Sequence, residues 1–286
     1  MTNPDECWNF REGDQITPEL TAMRLLGGGS AYEAYLAFDE ITYAPVVVKV
    51  VRPTERGEEH TLRGLEREAA ALDQANHPVV VRRLRHELDG ERPHLVLENI
   101  DGPRLSTLIR RYGPLQQQQY LPLALDIASA LHYFRHVDVV HLDIKPSNII
   151  MGAPARLIDL SVARPAARAA ELESTIGTDA YMSPEQCDPG RAGTSGYASD
   201  VWGLGATLFE AIAGYRPFED RDVRYPQLVD PPRLLPDTVP DDVAKTVYAA
   251  LSPDPADRPL PHEIAGALEP VLAAQPPVRL AFKVRR

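Results

Sequence analysis

Lysine is rare in this chain, and two of its lysines stand where they could carry chemistry. Of the 30 basic residues among 286, four are lysines and 26 are arginines. Lysine presents a compact point charge and arginine a planar fork, so each internal lysine is informative. Lys49 ends a valine run, where a lone lysine is rare without a partner, and Lys145 lies in the polar segment 141–150. The glycine-rich stretch 27–30 offers N–H groups that can approach phosphate, although such a stretch alone is more often a turn.

The elements that must position these residues begin as strands around one helix. Short β-branched or alternating runs bounded by Gly, Pro or Asp predict strands at 23–30, 32–39, 46–51, 79–88 and 94–98. A helix is indicated between the third and fourth runs by the helical spacing of Leu62, Leu65, Ala69 and Leu72. Pro78 disfavours helix in the residue before it, so the helix should end by then.

From residue 105 onward the pattern is mainly helical. Apolar stripes predict long helices around 121–131 and 201–212, the second starting after the capping pair Ser199 and Asp200, and a shorter helix begins near Asp241. Between the long helices lie strand-like pieces at 137–142, 148–151 and 155–160, and a polar segment without periodicity at 161–178.

We therefore predict an α+β fold with two lobes. The predicted units are an N-terminal extension, a small β-rich lobe with one helix, a larger mainly helical lobe and a basic tail, at 1–20, 21–98, 99–270 and 271–286. In the extension, apolar side chains suggest packing against a lobe: Trp8, Phe10, Ile16 and Leu20.

Composition excludes several classes of protein. With 44% hydrophobic and 25% charged residues, the chain is typical of a globular protein. A formal net charge of −11 argues against a nucleic acid as the main ligand. Two cysteines are too few for a disulfide framework and suit a reducing compartment, so a cytoplasmic location is expected. No signal peptide is recognisable, and no apolar run reaches the ~20 residues of a membrane span.

The segment His141 to Ile150, HLDIKPSNII, resembles the catalytic loop of protein kinases, H-R-D-x-x-x-x-N. The resemblance covers roughly residues 20 to 265. It implies that Asp143 accepts the proton of a substrate hydroxyl, that Asn148 holds Mg²⁺, and that Lys145 lies beside the transferred phosphate as in serine/threonine kinases. ATP is the implied phosphate donor, with Mg²⁺ or Mn²⁺ as the metal, and a protein is the implied acceptor.

Two further motifs extend the resemblance. LIDLS at 157–161 stands where the family has D-F-G, which makes Asp159 the second implied metal ligand. Ser161 replaces the glycine, so we expect a restricted in/out flip of this motif rather than lost metal binding. Lys49 matches the lysine of V-A-I-K, and its implied partner is Glu68 on the single helix, with Glu66 as the alternative.

The glycine-rich stretch matches the family less well. Gly27, Gly28, Gly29 and Ser30 are the implied phosphate-binding residues, but Tyr32 stands at the position of the third glycine and Ala34 at that of the valine. Leu97 occupies the gatekeeper position. The segment that follows it contains Glu98 and Ile100 and resembles the hinge whose backbone pairs with the adenine edge.

The segment 177–185, GTDAYMSPE, resembles the end of a kinase activation segment. The resemblance places Thr178 near the catalytic Asp, pairs Glu185 with Arg258, and uses Asp200 to hold the catalytic loop. The arginine of H-R-D is Leu142 here, so the usual cationic partner of a phosphorylated activation loop is missing. We therefore hypothesise that phosphorylation of Ser174, Thr175 or Thr178 is not strictly required to organise the site.

Taken together, the motifs favour a bacterial-type serine/threonine protein kinase that binds ATP and Mg²⁺ between its lobes. A pseudokinase serving as a nucleotide- or partner-binding scaffold is the main alternative, motivated by Tyr32, Ser161 and Leu142. A kinase-like small-molecule phosphotransferase is a third, although it would not need the segment 177–185. A homodimer is left open, and a stand-alone kinase is expected only if the 286 residues are the complete chain.

Overall fold

The structure, a computed structural model, describes residues 7–219 and 223–276. The strands are β1 (Gln15–Thr17), β2 (Leu20–Gly28), β3 (Tyr32–Asp39), β4 (Ala44–Val51), β5 (Arg83–Glu87), β6 (His94–Glu98), β7 (Ile149–Ile150) and β8 (Arg156–Leu157). The helices are α1 (Glu59–Gln74), α2 (Leu105–Tyr112), α3 (Gln117–His136), α4 (Ala166–Ala170), α5 (Pro184–Cys187), α6 (Tyr197–Ala213), α7 (Asp241–Ala250) and α8 (Pro261–Ala273). They form a small β-rich lobe and a larger helical lobe, which confirms the predicted α+β architecture.

The small lobe is an antiparallel sheet with strand order β1-β2-β3-β4-β6-β5, packed against α1. Side chains alternate between the two faces of a strand. On β4 this sends Val46, Val48 and Val50 into the core of the outer face, whereas Lys49 points to the opposite face, toward α1 and the cleft. Strand β4 and helix α1 therefore lie close together at Lys49, so that a side chain of α1 can pair with the lysine.

The N-terminal segment covers the outer face of this sheet. Trp8 stacks on Phe10 at 5.5 Å between ring centroids, and Phe10 meets the edge of Tyr35 at 5.4 Å. The indole nitrogen of Trp8 donates to the carbonyl of Val51 at 2.8 Å. The expected packing of this extension against a lobe is confirmed, and β1, which lies inside it, pairs with β2.

The predicted strand at 79–88 is only partly a strand, because its first residues pair elsewhere. Val81 N donates to the carbonyl of Leu157 at 2.9 Å, and Leu157 N donates to the carbonyl of Val79 at 2.6 Å. This connection joins the small lobe to β8 of the large lobe, so β5 begins only at Arg83. Glu98 reinforces it, because its carboxylate pairs with Arg156 of β8.

The large lobe is built around α3 and α6. α6 is buried along almost its whole length, and Trp202 on it stacks on Phe218 at 5.7 Å. α6 starts at Tyr197, before the predicted capping pair, and its N-cap residue is Gly196, whose N–H group donates to the Ser199 hydroxyl at 3.0 Å. Ser199 also donates to Glu185, and Asp200 accepts the N–H group of His141. α2 and α8 were not identified from the sequence.

The connections between α3 and α6 differ from the sequence expectation in two places. The segments 148–151 and 155–160 supply the two-stranded hairpin β7-β8, but 137–142 forms no strand and makes a single bridge between Val140 and Arg164. The segment 161–178, expected to lack periodicity, contains the short helix α4.

Two boundaries of the described residues bear on the predicted organisation. α8 continues to Ala273, and most of the predicted basic tail, residues 277–286, lies outside the described part of the chain. Among residues 7–219 and 223–276, no helix combines the length and apolar character needed to cross a bilayer.

A buried ion pair anchors the segment 177–185 in the large lobe. Arg258 Nη1 lies 2.7 Å from Glu185 Oε1, Nη2 lies 2.8 Å from Oε2, and both side chains are fully buried. Ser199 donates to the same Glu185 carboxylate at 2.7 Å. The predicted pairing of Glu185 with Arg258 is confirmed.

Loss of one partner of this pair should be strongly destabilising. Arg258→Met leaves the Glu185 carboxylate buried without its cation, so we expect the free energy of unfolding to fall by about 3–5 kcal/mol in urea denaturation. Arg168→Met is the matched control, because Arg168 pairs with Glu171 on the surface and should change stability by less than about 1 kcal/mol. Equal, small effects of both substitutions would contradict the assignment.

Candidate active site

A cavity of about 700 Å³ lies between the lobes. Its lining includes most of the residues singled out from the sequence: Gly27, Gly28, Gly29, Lys49, Glu68, Glu98, Ile100, Lys145, Asn148 and Asp159. Ser30 is exposed and does not line it, because it lies at the tip of the turn between β2 and β3. Asp143 lies directly behind Lys145. One cleft thus collects side chains from six separate stretches of chain.

Lys49 is the central cation of the cleft. Its Nζ lies 2.6 Å from Glu68 Oε2 and 3.3 Å from Asp159 Oδ1. Glu68 lies on the buried face of α1, and Glu66 is exposed, so the geometry selects the first of the two predicted partners. Burial alone would lower the pKa of Lys49, but the carboxylates of Glu68 and Asp159 raise it above its ordinary value. The lysine is therefore charged.

Four side chains form a closed network at the start of the catalytic loop. Lys145 Nζ donates to Asp143 Oδ2 at 2.7 Å and to Thr178 Oγ1 at 2.6 Å, and Thr178 Oγ1 donates to Asp143 Oδ1 at 2.8 Å. Asn148 donates to the backbone carbonyl of Asp143 at 3.0 Å. The Asp143 carboxylate is thus held in one orientation by groups from the loop and the activation segment.

Asp200 holds the backbone of this loop from below. Its carboxylate accepts the N–H groups of His141 at 2.8 Å and Leu142 at 2.7 Å. Burial raises the pKa of Asp200 to about 7, and the two N–H groups act in the opposite direction. Leu142 has a φ of +65°, a left-handed conformation that a branched side chain rarely adopts, so the loop needs these bonds to keep its shape.

Asp159 supplies an oxygen donor facing Lys49 across the cleft. Its φ is +66°. Burial would raise its pKa, but Lys49 and the hydrogen bond from Ser161 lower the pKa of Asp159 to about 2, so it is a carboxylate at neutral pH. Leu160, which follows it, is fully buried in the main core. The expected restriction of the flip by Ser161 stays a prediction.

The donor set suits a magnesium ion. Asn148 uses its amide N–H groups to hold Asp143, so its amide oxygen is available as an acceptor in the cleft that Asp159 also lines. Mg²⁺ is commonly bound through one or two carboxylates plus substrate phosphates and water. Within the described ranges no group of three or more His, Cys, Asp or Glu side chains is placed so that it could hold a metal ion.

An apolar cluster occupies the place where an arginine of H-R-D would meet a phosphorylated loop. Leu142 is 3% exposed and packs with Val140 and with Ala169 of α4. Leu172 and Ile176 of the activation segment pack around them. Sequence reasoning missed this cluster, although the small and apolar residues at 166–176 were its visible signal. The segment is therefore held by hydrophobic burial where charge pairing would otherwise act.

Gln186 is a second residue that the sequence reasoning missed. Its side chain is buried, and its Nε2 donates to the carbonyls of Leu142 and Ile176, both at 2.9 Å. It thereby links the catalytic loop to the end of the activation segment. No local pattern announces this role, because both acceptors are backbone groups distant in sequence.

The two-lobed fold, with a nucleotide-sized cleft that contains a paired lysine and a fixed aspartate, defines the class of protein kinases. A family model described as the protein kinase domain matches residues 20–267. The chain belongs to this family.

The relatives are bacterial serine/threonine kinases. Serine/threonine-protein kinase PknB of Mycobacterium leprae is 30% identical over 269 residues, which cover 88% of this chain and 43% of the relative. PrkC of Bacillus subtilis is 28% identical, covering 86% of this chain and 39% of the relative. A probable serine/threonine-protein kinase of Thermomonospora curvata, PkwA, is 33% identical, covering 85% and 33%. The chain thus spans less than half the length of these relatives.

The apolar surroundings of Leu142 lead to a stability prediction. Leu142→Arg places a charged guanidinium in the cluster around Ala169, and we expect the free energy of unfolding to fall by about 3 kcal/mol or more in urea denaturation. Leu142→Met, of similar volume, should cost less than about 1.5 kcal/mol. An arginine variant as stable as the methionine variant would show that the charge finds a partner and that the cluster is not closed.

Proposed function

We propose that this chain is an active serine/threonine protein kinase domain that transfers the γ-phosphoryl group of ATP to a protein hydroxyl. One observation carries the proposal. Lys49, paired with Glu68 at 2.6 Å, and Lys145, paired with Asp143 at 2.7 Å, line a single cleft. Phosphoryl transfer depends on in-line positioning and charge neutralisation more than on covalent work, and this arrangement offers both.

In the proposed reaction Asp143 accepts the proton of the substrate hydroxyl. The hydroxyl oxygen bonds to the γ-phosphorus, the bond from that phosphorus to the bridging oxygen breaks, and ADP leaves. Thr178 and Asn148 keep the Asp143 carboxylate oriented. Lys145 places a compact charge beside the transferred group, and its presence supports serine or threonine as the acceptor.

The remaining cleft residues are proposed to hold the nucleotide. Lys49, charged and oriented by Glu68, faces the α and β phosphates, and the backbone of Gly27–Gly29 closes over them. The backbone at Glu98 and Ile100 pairs with the adenine edge. Asn148 and Asp159 are the proposed ligands of Mg²⁺, or of Mn²⁺, which neutralises phosphate charge when it is bound.

A reducing compartment and a protein partner complete the proposal. Cys7 and Cys187 are both thiols, which suits the cytoplasm. The net charge of −11 favours a protein over a nucleic acid as the acceptor.

A scaffold that binds nucleotide or a partner without transfer is the second candidate function. The observation that favours it is the placement of Tyr32, which lines the cleft where the family has glycine. A bulky ring beside the phosphates could exclude the productive pose of ATP. The two candidates differ in one measurable property, which is transfer itself.

The deciding experiment measures transfer of labelled phosphate from ATP with Mg²⁺ or Mn²⁺ to a generic basic protein. We expect transfer by the wild-type chain and a loss of at least ~100-fold in Asp143→Asn, which removes the proton acceptor. Lys49→Arg and Lys145→Arg should each reduce transfer by about 100-fold, because a planar fork cannot reproduce a lysine's compact charge. Lys245→Arg, at an exposed position on α7, is the matched control and should be unaffected.

The remaining results separate the alternatives. No transfer by the wild type, with nucleotide or partner binding intact, would support the scaffold. If nucleotide raises the melting temperature but no protein is labelled, the result would support a phosphotransferase that acts on a small molecule.

The apolar cluster at Leu142 supports the hypothesis that the activation segment does not need phosphorylation. Ser174 and Thr175 are exposed, and position 142 is a leucine, which cannot pair with a phosphate. The double substitution of Ser174 and Thr175 by Ala should therefore leave the transfer rate within about tenfold of wild type, or 1.4 kcal/mol in the barrier. Thr178→Ala, which breaks the Asp143 network, should lose more than that in the same assay. A larger loss in the double variant would sink the hypothesis.

A further inference from the structure

Tyr32 is the least expected residue of the cleft. It is the first residue of β3, at the position of a glycine in the family, and its ring turns toward α1. Its hydroxyl donates to the backbone carbonyl of Thr61, in the first turn of α1, at 2.7 Å. The Nζ of Lys49 lies 4.8 Å from the centroid of the ring, a cation–π distance. Tyr32 therefore contacts both the lysine and the helix that carries the lysine's partner.

Gly64 is the counterpart of Tyr32 on the helix. A Cβ at position 64 would lie 2.7 Å from Tyr32 Oη, a distance too short for two non-bonded atoms. Glycine in the interior of a helix is destabilising relative to alanine, so Gly64 needs a reason to be there. The chain is unusual at two positions, with a bulky residue in a glycine-rich loop and a glycine inside a helix. The two belong together, because the missing side chain at position 64 leaves the space that the Tyr32 hydroxyl occupies.

The first turn of α1 has little else to fix it. Its N-cap residue, Glu58, makes no capping hydrogen bond with its side chain. The hydroxyl of Thr61 donates to Glu55, which lies just before the helix. Glu68, which must reach Lys49, lies one turn beyond Gly64. Leu65, Ala69 and Leu72 pack α1 into the core. Tyr32 at its first turn and the contact of Glu68 with Lys49 further along add polar contacts that fix its position relative to the sheet.

We propose that Tyr32 is a positioning residue that holds α1 in place, so that Glu68 stays paired with Lys49 in the absence of bound nucleotide. Tyr32 acts through the bond to Thr61 and through its fit against Gly64, and it has no part in the chemical step. The proposal rests on the proposed kinase function of the same cleft. If the proposal is correct, the Lys49–Glu68 pair of the nucleotide site is already formed before nucleotide binds.

The competing interpretation is that Tyr32 obstructs the phosphates. The two differ in their effect on the kinetic constants. Removal of a residue that positions α1 lowers kcat, because Lys49 is then misaligned, and does not lower KM for ATP. An obstructing ring raises KM for ATP, and its removal improves binding.

The experiment compares Tyr32→Phe, Tyr32→Gly, Gly64→Ala and the double variant Tyr32→Gly/Gly64→Ala in the full chain. Loss of one hydrogen bond in Tyr32→Phe should lower kcat by about threefold to tenfold, and Tyr32→Gly should lower it further without lowering KM for ATP. Tyr43→Phe is the control, since Tyr43 is exposed in the turn between β3 and β4, and should have no effect.

Gly64→Ala supplies the most specific measurement. In the wild-type background the new methyl group displaces the Tyr32 hydroxyl, so kcat should fall by about as much as in Tyr32→Phe. In the Tyr32→Gly background the same substitution should cause no further loss. Independent, multiplicative losses would overturn the coupling, and so would a Tyr32→Gly variant with unchanged kcat and a lower KM for ATP.

Deuterium uptake of α1 without nucleotide gives a readout that does not require catalysis. We expect faster exchange across Thr61–Glu68 in Tyr32→Phe and Tyr32→Gly than in wild type or Tyr43→Phe. If the wild type transfers no phosphate, the proposed kinase function fails, and the exchange rates still test the link between Tyr32 and α1. Exchange that is unchanged in both Tyr32 variants would overturn that link even in an active kinase.

Discussion

The contact of the Lys49 ammonium with two carboxylates is the interaction on which the rest of the arrangement depends. Glu68 comes from α1 in the small lobe and Asp159 from the segment after β8 in the large lobe. A charge removed from water is costly unless its partners are kept within reach. The sheet must therefore present Lys49 toward the cleft, α1 must pack close to it, and the large lobe must bring Asp159 to the same point. The apolar core on the outer face of the sheet makes Lys49 point toward the cleft, because it fixes which face of β4 is turned outward.

In the large lobe, side chains and loops are also held in fixed positions, but by other interactions. The Asp143 carboxylate is surrounded by donors, the loop beneath it is held by two N–H bonds to Asp200, and the activation segment is held by apolar packing around Leu142. Hydrophobic burial has no dependence on a modifying enzyme, whereas a phosphate must be added and can be removed. This packing is the observation behind the hypothesis that the activation segment needs no phosphate to keep its shape.

Much of the cleft lining was predictable because short stretches of the sequence resemble motifs of the protein kinase family. Asp143, Lys145 and Asn148 lie within six residues, and Lys49 could be placed on a strand from the valines before it. The features that sequence reasoning missed depend on partners far apart in the chain. Val79 and Val81 look like strand residues but pair with Leu157, and Ser199, at the start of α6, also donates to the distant Glu185. Local sequence patterns indicate which secondary structure a residue favours. The conformation of these residues is set by contacts with residues that are far away in the chain.

The pairing of Val79 and Val81 with Leu157 has a consequence for how the cleft can open. The chain crosses between the lobes after Glu98, and these backbone hydrogen bonds join the lobes beside that crossing. Because Glu98 N also donates to the carbonyl of Arg82 at 3.0 Å, both attachments lie on one side of the cleft, and we expect the lobes to rotate about that side. The turn between β2 and β3 lies at the cleft mouth, away from both attachments, and therefore travels furthest in such a rotation. We therefore expect any opening of the cleft to displace the glycine-rich turn more than the residues near Glu98.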